Sequence, residues 1–201
     1  NNTVNAGTAD LIRFNILSAG PHTINVAAAG LPQVTDAVVI DGSTEPDYAG
    51  TPVVGLNGAA TDVANSGAHG LFLAAGSDGS TIRGLAVYAF DVDGIRVQGD
   101  NNVIQSNYVG SNTAGLADFG NRDDGIDISA GASGNLVLGN TVIGNDQDGV
   151  VIGDAGTDSN TLQNSRIGVN IASALVGNGR HGIRVEFGAT NTTIGGTVAG
   201  Q

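Results

Sequence analysis

The chain has 201 residues with seven basic and 19 acidic side chains, for a formal net charge of −12 at pH 7, and 33 glycines but no Cys, Met, Trp or Lys. That balance argues against a nucleic-acid binder, which needs a basic stripe to neutralise phosphate, and against docking on an anionic membrane. No apolar run reaches the roughly 18 residues of a membrane span, and without Cys there is neither a disulfide scaffold nor a thiolate metal site.

Residues 1–66 read as irregular opening coils. The stretches LIRFNI (11–16), HTINV (22–26), AVVIDG (37–42) and TPVVGLNG (51–58) are rich in β-branched residues and are predicted strands, with the turn-rich DGSTEPDYAG (41–50) between the last two. A cap is expected over the first edge, with residues 1–10 supplying part of it.

From residue 67 the chain becomes periodic. GAHGLFLAAG (67–76), DVDGIRVQGD (91–100), NRDDGIDISA (121–130), DQDGVVIGDA (146–155) and GRHGIRVEFG (179–188) each place His or Asp before Gly, then two apolar residues separated by one variable residue. The leading residues His69, Asp93, Asp124, Asp148 and His181 recur at intervals of 24, 31, 24 and 33, the period of a solenoid.

A second phrase follows each first one, and its alignment predicts two interior ladders. One is Ile82, Ile104, Val137, Leu162 and Ile194; the other is Val87, Val109, Val142 and Ile167. Between them Asn107 and Asn140 read as a stacked amide pair that satisfies backbone groups at a bend. The longer intervals reflect loops 111–123 and 169–180, inserted at the same corner of alternate turns, where solenoids often carry function. No segment sustains a helical apolar spacing, and ASALVG (172–177) is at most one helical turn. The expectation is a single domain over 1–201, with regular coils over 67–201 that belong to a longer chain continuing past Gln201.

The repeats DGIRVQGDNNVIQSNYVG, DGIDISAGASGNLVLGNTVIG and DGVVIGDAGTDSNTLQNSRIG resemble the right-handed parallel β-helix repeat family, also called pectate-lyase-like. The resemblance implies an all-β fold, a single-stranded right-handed parallel β-helix of about seven coils with three short strands each. The N-terminal writing is similar to the opening coils of large bacterial surface and secreted proteins. The family spans lyases, hydrolases, epimerases, adhesins and stalks, so function has to be argued from particular residues.

Two readings of the His/Asp column follow. In polygalacturonase-type β-helix hydrolases an Asp-Gly corner and an Asp-Asp corner lie on successive coils, and Asp93-Gly94 and Asp123-Asp124 resemble them, with His181 assisting. Asp148 stands where that pattern has His, His181 sits in Arg-His-Gly, and the Arg-x-Lys strand has no counterpart in a Lys-free chain. A lyase reading leans on Asp127 beside Arg96 and needs a Ca²⁺ cluster. The other reading makes the column a repeated corner: short polar side chains bond back to the local backbone and Gly accepts a positive φ. On it, the phrase recurs because the corner recurs.

The outward column Phe72, Arg96, Asp127, Val151 and Arg184, with Glu186 and with Tyr88 near Phe90, is the candidate ligand surface, suited to a glycan. The sequence therefore predicts a non-catalytic extracellular or cell-surface module for spacing, adhesion or polysaccharide binding. The alternative is a hydrolase or lyase acting on an acidic glycan through Asp93, Asp123 and Asp124. No cofactor and no metal ligand set is read. Turn pairs such as Asp91/Asp93, Asp146/Asp148 and Asp154/Asp158 predict at most weak Ca²⁺ binding.

Overall fold

The computed structural model describes residues 8–196, with backbone only for 62–64. Three parallel sheets run the length of the molecule, and the chain visits them in the order A, B, C. Sheet A stacks the strands Asp10–Arg13, Val38–Asp41, Thr81–Arg83, Val103–Gln105, Leu136–Leu138, Thr161–Gln163 and Thr193–Ile194. Sheet B stacks His22–Asn25, Val54–Asn57, Leu85–Tyr88, Tyr108–Val109, Thr141–Val142 and Arg166–Ile167. Sheet C stacks Leu71–Leu73, Ile95–Val97, Ile126–Ile128, Val150–Ile152 and Ile183–Val185. Val34 bridges Leu73 in parallel and marks where the first coil crosses sheet C. The described residues make six circuits and the start of a seventh, a single-stranded parallel β-helix.

Each predicted ladder pairs in register. Ile82, Ile104, Val137, Leu162 and Ile194 are successive partners in sheet A, and Val87, Val109, Val142 and Ile167 in sheet B. Ile82, Ile104, Val137, Val87, Val109 and Val142 are all fully buried. With so few rings available, the core consists of these stacked aliphatic columns, each buried Ile or Leu contributing about 1.5–3 kcal/mol before entropy. The four opening strands also form where expected. The part of a cap expected from residues 1–10 lies mostly outside the described residues, and Asp10 already opens the first strand of sheet A.

The corner glycines differ from expectation. Gly70, Gly94, Gly125, Gly149 and Gly182 are absent from the positive-φ positions, so backbone handedness does not explain them. Close approach explains the first four. A β-carbon on Gly125 would lie 2.5 Å from the Gly149 carbonyl oxygen, and one on Gly149 would lie 2.5 Å from that of Gly182. The coils stack at these corners too tightly for any side chain.

Asparagines stitch the corners from within. Asn140 Oδ1 accepts from the Asn107 backbone N–H at 2.9 Å and from its Nδ2 at 3.1 Å, while Asn140 Nδ2 donates to the Ile104 carbonyl at 2.7 Å. Asn102–Asn135–Asn160 and Asn121–Asn145–Asn178 repeat the arrangement at two further positions. These two ladders also keep a fixed place in the repeat, Asn102, Asn135 and Asn160 two residues before Ile104, Val137 and Leu162, and Asn121, Asn145 and Asn178 three residues before Asp124, Asp148 and His181.

Loops 111–123 and 169–180 both leave sheet B and enter sheet C, at the corner that the short helix Ala59–Ala64 occupies in the second coil. They fold back over sheet B. The Ala89 N–H donates to the Phe119 carbonyl at 3.0 Å, and the second loop rests on the first through Ile171 N–H to the Gly115 carbonyl (3.2 Å) and Asn170 Nδ2 to that of Leu116 (2.9 Å). Segment 172–177 is a turn closed by an antiparallel Val169–Leu175 bridge. Among the described residues, no helix is long and apolar enough to cross a membrane.

Candidate functional site: the corner and outer face of sheet C

The His/Asp column lines the corner that leads into sheet C. Each carboxylate reaches to the next coil, where a bond to its own local backbone was expected. Asp93 Oδ1 accepts the Asp124 N–H at 3.1 Å, Asp124 Oδ1 the Asp148 N–H at 2.8 Å, and Asp148 Oδ1 the His181 N–H at 2.9 Å. The second oxygens are engaged at both ends of the row. Asp93 Oδ2 lies 3.1 Å from His69 Nδ1 and 3.6 Å from Arg96 Nη1. Asp148 Oδ2 lies 2.6 Å from Arg184 Nε, and its Oδ1 2.7 Å from His181 Nδ1. Asp93, Asp124 and Asp148 are 2%, 7% and 0% exposed.

Asp123 is exposed on the loop beside them, and one oxygen from each of Asp93, Asp123 and Asp124 lies within 4.8 Å of the others. Burial pushes the Asp124 carboxyl up to about 7, against the pull of the Asp148 N–H. Burial also raises Asp123, with the neighbouring Asp93 charge adding to it.

On the outer face Phe72, Arg96, Asp127, Val151 and Arg184 are register partners, as the repeat predicts. The Arg96 guanidinium sits 5.9 Å above the Phe72 ring centre and 3.5 Å from Asp127 Oδ2, which also accepts from Ser129 Oγ at 3.1 Å. Burial, then the Asp93 charge, pushes Asp127 up to about 6. Arg184 pairs Asp148 on one side and Glu186 on the other. A shallow depression of about 180 Å³ lies among Arg96, Asp127, Arg184, Glu186 and Phe187, with Asp124 in its wall.

Residues 59–198 match the model of the right-handed β-helix region. The chain belongs to the right-handed β-helix family. No curated protein and no solved structure matches it.

Within this right-handed β-helix, Tyr88 stands apart from the other candidate ligand residues. It belongs to sheet B, is 7% exposed, and packs with Tyr108 beneath the loop, its ring 5.9 Å from that of Phe119. Phe90, its expected neighbour on the surface, is fully buried in the core. The same face holds an aromatic that the alignment passed over. Phe187 is 71% exposed at a turn with φ of 51°, where the equivalent positions in the two preceding sheet C repeats are Ala130 and Asp154. A ring replacing small or polar residues at one repeated turn is the signal that marks it.

The turn carboxylates considered for Ca²⁺ have partners of their own in this β-helix. Asp154 Oδ2 accepts the Ala130 N–H at 3.1 Å, and Asp158 takes up Ser159, Thr190 and Asn191 at 2.7 Å each.

Proposed function

We propose that the chain is a non-catalytic β-helix module of a larger extracellular or cell-surface protein, and that it binds an extended glycan on the outer face of sheet C. One observation carries the reading: Asp93 and Asp124, two of the three carboxylates a hydrolase would use, each hold a backbone N–H of the next coil, as Asp148 does after them. A carboxylate tied to the coil stack is poorly placed to follow a reacting oxygen. Phe187 offers an open ring, and Arg96, Arg184 and Glu186 offer fixed donors and acceptors around a depression too shallow to enclose a sugar. Affinity electrophoresis against pectins, alginates and neutral glycans tests it, with Phe187→Ala weakening retention several-fold. Reproducible release of unsaturated or reducing products by the purified chain sinks the reading.

A second reading, hydrolysis of an acidic polysaccharide, is favoured by the close Asp93, Asp123 and Asp124 oxygens and by a carboxyl that keeps its proton near neutrality. A separation of about 5 Å is the retaining geometry. Asp123, the exposed member, would act as nucleophile and Asp124 as acid. Asp123→Asn should then abolish turnover with stability unchanged; product release that persists in this variant rejects the assignment.

A further inference from the structure

Away from sheet C, the irregular first and second coils meet at a group of side chains to which the repeat assigns no role. His22 opens the first strand of sheet B and is 9% exposed; Glu45 follows the short 3₁₀ turn Gly42–Thr44 of the next coil and is 2% exposed. His22 Nε2 and Glu45 Oε1 face each other at 3.6 Å, and both are buried with no hydrogen-bond partner. That separation exceeds the roughly 2.7–3.2 Å of an N–H···O bond. Two ligand atoms each about 2.1 Å from a tetrahedral zinc ion are about 3.4 Å apart.

Asp47 completes the group, with one ligand atom from each of His22, Glu45 and Asp47 within 4.8 Å of the others. The carboxylates are oriented by backbone donors, as ligating carboxylates usually are. Glu45 Oε2 accepts the Ile16 N–H at 3.0 Å, and Asp47 Oδ2 accepts the Gly20 N–H at 2.6 Å. Gly20 keeps the space open: a β-carbon there would lie 3.3 Å from His22 Nε2 and 3.6 Å from Asp47 Oδ2. One neutral imidazole and two carboxylates balance the charge of a dication, and the imidazole selects a first-row transition ion over Ca²⁺ or Mg²⁺.

We propose that His22, Glu45 and Asp47 bind a divalent transition-metal ion, zinc by the chemistry of the donors, which staples the loop before His22 to the turn of the second coil. Water supplies the remaining position. The site lies outside the sheet C face and is independent of the glycan reading.

The test is calorimetric titration of the metal-stripped full chain with Zn²⁺ alone and, in parallel, with Ca²⁺. One Zn²⁺ per chain is expected, with a melting temperature about 5 °C or more higher at a hundredfold excess over Kd, and neither effect from Ca²⁺. Asp47→Asn keeps an acceptor for Gly20 at an exposed position, so it should fold normally by circular dichroism and bind Zn²⁺ at least tenfold more weakly. His22→Gln should do the same, and Asp123→Asn should leave binding unchanged. An ordinary imidazolium–carboxylate pair gives no heat and no thermal shift, and that result overturns the proposal. So does Zn²⁺ uptake that Asp47→Asn leaves intact, whatever the His22 variant does.

Discussion

Asp93 on one coil accepts the backbone N–H of Asp124 on the next through Oδ1 at 3.1 Å, while its Oδ2 faces His69 and Arg96. The same step repeats from Asp124 to Asp148 and from Asp148 to His181. The Asp before Gly94, Gly125 and Gly149 is therefore an inter-coil tie: the glycine lets the coils close up, and the carboxylate of one coil caps the N–H of the next.

Asp148 is the most heavily used member, fully buried and joined to the His181 N–H, the His181 ring and Arg184. Asp148→Ala should cost about 3 kcal/mol, because it strands a guanidinium and a backbone N–H together. Asp148→Asn, which keeps the acceptor, should cost about half as much. Urea denaturation of both variants beside Asp123→Asn checks this, and equal stability of Asp148→Ala and Asp123→Asn would falsify the tie.

The ladders were legible because a coil repeats its chemistry at nearly constant spacing, so Ile104 and Val137 align on paper as they pair in space. What depends on contacts between coils was not. A local phrase cannot tell a glycine that needs positive φ from Gly149, where the Gly182 carbonyl of the next coil fills the place of a side chain. Tyr88 alternates like a surface residue, yet the loop carrying Phe119 returns to cover it. His22, Glu45 and Asp47 come from the opening coils, where no period exists to align them. Their meeting is a product of loop geometry alone.

Asn140 is 1% exposed and serves the Asn107 N–H, the Asn107 amide and the Ile104 carbonyl at once. Asn140→Ala should cost about 3 kcal/mol, since each orphaned buried group carries a desolvation penalty of about 1–3 kcal/mol and some relaxation is available. Asn140→Asp keeps the acceptor but sets a buried carboxylate oxygen against the Ile104 carbonyl, so it should cost at least as much as Asn140→Ala at pH 8 and recover as the carboxyl is protonated at lower pH. Thermal melts of both against wild type give the ordering.

Two glycines separate close approach from backbone strain. Gly149→Ala places a methyl 2.5 Å from the Gly182 carbonyl oxygen and 2.7 Å from Asn178 Nδ2, so it should push coils apart and cost about 3 kcal/mol or more. Gly139 has φ of +65°, and a methyl there would meet nothing closer than Ser106 Oγ at 3.8 Å, so Gly139→Ala should cost only the left-handed penalty of about 1 kcal/mol. Comparable denaturation midpoints for the two variants would contradict the stacking explanation.

Burial raises Asp124 to about 7 and Asp127 to about 6, from 3.8 for the unperturbed carboxyl. Between pH 4 and 7 the folded chain holds protons that the unfolded chain has released, so stability falls as pH rises through that window. Asp41 acts with the opposite sign. The Arg83 guanidinium holds its carboxyl below the usual range, and its contribution is lost only as pH falls through that lowered value. The domain should therefore be more stable near pH 5 than at pH 8, by about 2 kcal/mol once partial solvent access is allowed for. Relief of the −12 net charge pushes the same way, so the profile alone does not isolate the corner. Asp124→Asn does. Its amide still accepts the Asp148 N–H, so the variant should gain stability at pH 8, change little at pH 5, and flatten the profile between them. A variant that loses stability at pH 8 would show that the ionised carboxylate is the form the coil stack requires.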